Sequence, residues 1–273
     1  MPLETTNIKP RIGVEIHTDA ATVLSGACAG EIRALLEERG VVVIRDLHLT
    51  DEELVAFAQT LGTIHGSNTG DIFKVTLNEK ENIQGSYLRR TAEWHMDRMD
   101  SDLPPLGSML TPRILPASGG ETEFTNTYAA FEDLSEADQR QYEKVEVIHT
   151  TGSFFGQDHD PYLEGDRNTE GMEKPEKAHP LVWQHRSGRK SLVLGITMEQ
   201  VAGMDRADSQ AFIGRLMEWA SKPEYVYRHE WRMGDLVIWD NTGTMHRVCP
   251  YDHDSGRQLH RVTLTGEESV TAV

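Results

Sequence analysis

Trp94-His95-Met96-Asp97 sets an imidazole and a carboxylate two positions apart. Far downstream, Asp240-Asn241-Thr242-Gly243-Thr244-Met245-His246 adds a second imidazole, followed by Arg257 and Arg261. In an extended strand residues i and i+2 project from one face, so His95 and Asp97 can reach one metal ion from one strand. His246 can complete the set from another. Two histidines and a carboxylate on one face of an octahedral ion leave the other positions open, the arrangement by which non-heme Fe(II) oxygenases bind a cosubstrate and dioxygen. Zinc accepts the same donors with an open position, so a zinc hydrolase is a rival, although no nearby motif offers a general base. A barrel that binds metal without turnover, as a sensor or binding protein, is another.

A His-x-Asp string alone is weak in a chain with 12 histidines and 44 acidic residues. His17-Thr18-Asp19 has the same spacing but lies near the amino terminus with no downstream partners of the right kind. His95 and Asp97 differ because Gly119-Gly120-Glu121-Thr122-Glu123-Phe124 follows, and then His246, Arg257 and Arg261 in order. The segment Arg257 to Leu264 is short, rich in strand formers and followed by Gly266, which predicts a strand. Arg257, Leu259, Arg261 and Thr263 then share a face, where a planar guanidinium can form a two-pronged pair with a carboxylate screened from water.

That ordered combination resembles the family of Fe(II)/2-oxoglutarate-dependent oxygenases that includes taurine dioxygenase and 2,4-dichlorophenoxyacetate dioxygenase. The likeness runs from Val41-Val42-Val43-Ile44-Arg45-Asp46 through Leu61-Gly62, Trp94-His95-Met96-Asp97, Gly119-Gly120-Glu121-Thr122 and Tyr128-Ala129-Ala130 to Ile238-Trp239-Asp240-Asn241 and His260-Arg261-Val262-Thr263. The resemblance implies that His95, Asp97 and His246 hold the iron. It implies that Thr122 and Arg257 bind 2-oxoglutarate, Arg257 pairing with its distal carboxylate, and that Arg261 lines the same pocket and meets an anionic substrate. The implied reaction consumes dioxygen, releases succinate and carbon dioxide, and hydroxylates a substrate carbon. Asp97 occupies the position that halogenating relatives vacate, so halogenation is not expected.

The elements that must position these groups are legible in part. Thr50-Asp51-Glu52-Glu53 is a capping box opening a helix that ends at Gly62, and residues 30–39 predict another helix. Between them Val41 to Ile44 is a continuous β-branched run, hence a buried strand. His179 to Gly195 predicts a hairpin turning at Ser187-Gly188, and Tyr225 to Trp239 one turning near Met233-Gly234, with a helix over residues 209–220 between them. This order suggests a mostly β fold with flanking helices, a jelly roll. The resemblance implies the same fold, a double-stranded β-helix.

At 273 residues with 38% hydrophobic content, one domain over residues 1–273 is plausible. The formal charge of −17 disfavours nucleic acid and anionic membranes as partners. Cys28 and Cys249 give no disulfide framework, and the amino terminus lacks the regions of a signal peptide, so a cytoplasmic protein is expected. The expected partner is a small anionic molecule, with assembly into a homo-oligomer left open.

Thr151 to Lys177 shows no helical or strand period, and a long loop in a compact domain is usually functional or disordered. The family places part of a substrate lid here, which implies a lid-like insertion over about residues 151–178. Alignment to the family without gaps puts Ser67, Thr91 and Phe154 where taurine enzymes carry histidine, asparagine and serine, while Phe155 keeps an aromatic wall. Polar groups for a small zwitterion are therefore missing. Arg98, directly after Asp97, either greets an anionic group or pairs with Asp100 or Asp102.

Overall fold

The computed structural model describes residues 2–66, 71–83, 85, 87–150 and 176–273. Val41-Val42-Val43-Ile44 explains its layering. All four side chains of this strand are buried, and because they alternate between faces, both faces must be covered. Val41 and Val43 pack with Phe124, Tyr227, Trp239 and Leu259, sheet against sheet. Val42 and Ile44 pack with Ile32, Leu54, Phe57 and Leu61, sheet under helices.

The larger sheet has seven strands in the order β1 (Glu4–Asn7), β2 (Val14–His17), β3 (Val41–Ile44), β13 (Leu236–Asp240), β5 (Gly107–Ile114), β15 (Gln258–Leu264) and β4 (Phe73–Val75). Only β2 and β3 pair in parallel among these. Facing it is the sheet β12 (Val226–His229), β6 (Thr122–Asn126), β14 (Thr244–Val248). A third sheet joins β11 (Met198–Val201), β7 (Glu146–Thr150) and β8 (Glu176–Pro180), and β9 (Val182–Gln184) pairs with β10 (Lys190–Leu192). The helices α1 (Ala20–Leu24), α2 (Ala29–Arg39) and α3 (Asp51–Leu61) cover the outer face of the large sheet; α4 (Thr127–Glu132), α5 (Glu136–Tyr142) and α6 (Arg206–Ala220) follow the chain round the other side. None of the described helices is long and apolar enough to cross a membrane.

Several expectations hold for the physical reasons given. The capping box opens α3: the Thr50 hydroxyl accepts from Glu53 N–H at 3.2 Å and the Glu53 carboxylate accepts from Thr50 N–H at 2.9 Å. The strand at the carboxyl end spans Gln258–Leu264, with Arg257 just before it.

Others need correction. Residues 225–239 are not a hairpin: β12 pairs with β6 in one sheet, while β13 pairs with β3 and β5 in the other. The turn between them carries the chain across the sandwich, because Leu236 to Asp240 is buried throughout and requires a neighbour on each side. The hairpin at Ser187-Gly188 is shorter than expected, since His179 and Pro180 belong to β8 and pair with Val147 and Glu146. Residues 176–178 are likewise strand and not loop; Thr150 pairs with Glu176, so the two edges of the insertion are joined in a ladder. The helix over 209–220 begins earlier, at Arg206, because the Asp205 side chain accepts from Asp208 N–H and caps it there.

Candidate metal centre

His246 lies on β14, in register with Phe124 of β6. His95 meets it through a lone antiparallel bridge, His95 N–H donating to His246 O at 3.1 Å and His246 N–H to His95 O at 2.8 Å. The two rings are thereby 4.2 Å apart, centroid to centroid. Asp97 is not on a strand; it opens a turn at residues 97–100 whose second residue, Arg98, has φ +56°. The i, i+2 spacing still converges the two side chains, but a turn and a clamp position Asp97 where a sheet was expected. Asn241 is the clamp. Its Oδ1 accepts from Asp97 N–H at 2.8 Å, and its Nδ2 donates to Asp97 O at 3.1 Å and Pro105 O at 3.2 Å.

His95 Nε2 stands 4.0 Å from Asp97 Oδ1, and His246 Nε2 3.8 Å from Asp97 Oδ2. Among the described residues this is the only trio of His, Cys, Asp or Glu whose donor atoms converge, all within 4.8 Å of one another. His95 Nδ1 donates to Glu93 O at 2.8 Å, so the Nε2 lone pair faces Asp97. His246 is held by rings instead: Trp239 lies at 4.7 Å, Phe124 at 6.3 Å, and Nδ1 is buried without a partner among the described residues.

The protonation states suit a cation. Burial pushes both imidazoles below their ordinary pKa, and so keeps them neutral. Burial alone would raise Asp97, but the charges around it, the Arg261 guanidinium foremost, outweigh it and hold the carboxyl at about 2. Two neutral imidazoles and an ionised carboxylate are the donor set a divalent ion requires. The decoy differs: His17 is exposed and meets Thr6 and Glu15, while Asp19 caps α1.

Beside the triad, Arg257 is 5% exposed and lies over the Tyr251 ring at 5.0 Å. Its Nε and Nη2 donate to Gly120 O at 3.2 and 2.9 Å. Gly120 has φ +76°, and a Cβ there would lie 2.8 Å from Arg257 Nε, so Gly120 makes room for the guanidinium. Thr122, two residues on, is buried and accepts from Trp231 Nε1 at 3.0 Å. Arg257, Thr122, Arg261, Thr91, His95 and His246 all line one cavity, walled by Val75, Leu77, Leu88, Leu110 and Trp239. Thr91 donates its hydroxyl to Leu88 O at 2.7 Å.

Arg261 makes an unforeseen contact: its Nη1 donates to Asp97 Oδ2 at 3.2 Å while its guanidinium lies 4.9 Å over the Phe73 ring. Arg98 is exposed and pairs with neither Asp100 nor Asp102, the latter being taken by Lys177. Ser67, Phe154 and Phe155 lie outside the described residues. Asn241, Tyr251 and Trp231 were not foreseen as site residues. Asn241 stands in the motif before His246, but its partner is 144 residues away in sequence and no local pattern reveals it.

Replacing Asn241 with alanine leaves the Asp97 backbone groups and Pro105 O without partners in a buried place. Divalent-metal affinity is expected to fall about 10- to 100-fold, as for other groups that orient ligands. Mn(II) titration of the folded variant checks this. Unchanged affinity would mean the turn alone sets Asp97.

The model of the taurine catabolism dioxygenase TauD, TfdA family matches residues 4–263. The α-ketoglutarate-dependent 2,4-dichlorophenoxyacetate dioxygenase of Cupriavidus pinatubonensis is 32% identical over 94% of this chain and 95% of its own length. The alkylsulfatase of Acinetobacter baylyi is 31% identical over 99% of this chain and 87% of its own. Among solved structures, AAD-2 in complex with Mn(II) and N-oxalylglycine superposes with a TM-score of 0.83 at 27% identity, covering 99% of this chain and 100% of that one. The sheets and flanking helices are thus those of a double-stranded β-helix, and the chain belongs to the TauD, TfdA family of dioxygenases.

Proposed function

We propose that His95, Asp97 and His246 hold Fe(II), that Arg257 and Thr122 bind the distal carboxylate of 2-oxoglutarate, and that the enzyme hydroxylates a small anionic substrate with an apolar body, releasing succinate and carbon dioxide. The observation that carries this reading is the convergence of the donor trio, whose two histidines line one cavity with a buried, stacked Arg257. A metal-binding barrel without turnover, or a zinc hydrolase, has no use for that arginine. Iron bound at the trio supplies the dioxygen chemistry when loaded. The chain's own residues hold the ligands, exclude water and orient the substrate, within one domain over residues 1–273. The two buried, unpaired cysteines support a cytoplasmic setting.

Relatives named for 2,4-dichlorophenoxyacetate, for alkyl sulfates and for sulfate esters support an anionic substrate. Arg261 is the cation offered to it. Val75, Leu77, Leu88 and Leu110 provide apolar wall, and Ser67, Thr91, Arg98, Phe154 and Phe155 are proposed as further substrate residues. Burying apolar surface is worth about 25 cal/mol per Å², or about 0.8 kcal/mol per methylene, hence roughly fourfold in kcat/KM for each one the pocket accommodates. Succinate formation with Fe(II) and 2-oxoglutarate in air, measured across carboxylates, sulfonates and sulfates of increasing apolar size, should rise in that order. If taurine proved the best substrate, or neutral analogues matched the anions, this substrate class would be wrong while the iron assignment stood.

A further inference from the structure

The geometry points to Trp231 as a positioning residue that holds the Thr122 hydroxyl in place and, by taking one of its two lone pairs, strengthens it as an O–H donor to a carboxylate oxygen in the cavity.

The indole N–H can only donate, and it donates to Thr122 Oγ1 at 3.0 Å. A hydroxyl carries one hydrogen and two lone pairs. Accepting from Trp231 occupies one lone pair and leaves the other lone pair and the hydrogen, and an acceptor within the cavity selects the hydrogen. Thr122 lines that cavity together with Arg257, whose charge already selects an anion. Carboxylate oxygens accept only, so a hydroxyl held in place and strengthened as a donor by the bond it accepts suits them.

The indole is itself held in place. His229 sits directly across the ladder from Thr122 and is fully buried, and Trp231 packs edge-on against it at 4.4 Å and 75°. The His229 ring cannot turn. Tyr227 O–H donates to Nδ1 at 2.8 Å, and Nε2–H donates to Asp235 Oδ2 at 3.0 Å. Asp235 is anchored by Arg45 at 2.5 Å and by Arg232 N–H at 2.8 Å. A chain of polar groups, buried from Asp235 inward, thus ends on His229, the ring against which the indole packs. Such a network, each member satisfied, fixes one arrangement where apolar packing would allow several.

The inference rests on the reading that Thr122 faces bound 2-oxoglutarate, and a double-mutant cycle separates the two. The dissociation constant of 2-oxoglutarate is measured by calorimetry on Mn(II)-loaded protein for the natural chain, Trp231→Phe, Thr122→Val and the double variant. Replacing Trp231 with benzothienylalanine, which keeps the shape and removes the N–H, stands in if Trp231→Phe does not fold. Loss of the N–H should weaken 2-oxoglutarate about 3- to 10-fold when Thr122 is present and less than about 2-fold when valine replaces it. An equal loss in both backgrounds, or none in either, overturns the role assigned to Trp231. If Thr122→Val binds 2-oxoglutarate normally, the threonine assignment falls and this inference with it. Failure of the natural chain to bind 2-oxoglutarate would instead remove the cosubstrate reading beneath both.

Discussion

His246→Ala and Asp97→Ala are each expected to eliminate 2-oxoglutarate-dependent oxygen consumption and succinate release, while His17→Ala leaves both nearly intact. Each site variant removes one of three ligands from a trio that no other described His, Cys, Asp or Glu can complete. Losing several kcal/mol of metal-borne stabilisation corresponds to a rate loss on the order of a thousandfold or more. His17 carries the same local spacing to an acid, but it is exposed, and Asp19 is spent as a helix cap. Oxygen uptake alongside metal titration of the three variants makes the comparison. Full turnover without His246, or loss of metal on removing His17 from a folded protein, would place the centre elsewhere.

Arg257→Ala is expected to act mainly on the cosubstrate. The guanidinium is 5% exposed and braced by Gly120 O and the Tyr251 ring, so it is already in place before any ligand arrives. Truncating one partner of a buried charge pair costs about 2 to 5 kcal/mol, which is roughly 30-fold to several thousand-fold in the dissociation constant of 2-oxoglutarate. Metal affinity should change little, since Arg257 touches none of the trio. A titration showing an unchanged 2-oxoglutarate constant would contradict the assignment at this residue.

The parts legible in the sequence are those whose physics is local or whose chemistry restricts residue type. The cap at Thr50, the apolar run at Val41 and the turn at Ser187-Gly188 each depend on neighbours within a few residues, and each appears as expected. The trio was legible because few residue types bind a divalent cation. Asp97 was found for an incomplete reason: the spacing was right, yet the side chain is aimed by a left-handed residue at Arg98 and by Asn241, not by strand pleating. What failed was sheet membership. Two strand-like runs flanking Met233-Gly234 read as a hairpin, but whether they pair is decided by partners such as β6 and β3, brought alongside from elsewhere in the chain. The Trp231 contact to Thr122 spans 109 residues and was invisible for the same reason.

The ion pair between Arg261 and Asp97 bears on the electroneutrality of the loaded cavity. On the proposed reading, with neutral histidines and Arg247 paired to Glu123 at 2.7 Å, a ferrous ion would contribute two positive charges, Arg257 and Arg261 one each, Asp97 one negative and 2-oxoglutarate two. The balance is one positive charge in a place shielded from water, where an uncompensated charge is unfavourable. A monoanionic substrate brings the total to zero, whereas a neutral molecule leaves the excess in place and a dianion overshoots. On that reading the cavity would have a valence as well as a shape, and a substrate of matched size would still be rejected for carrying the wrong number of charges.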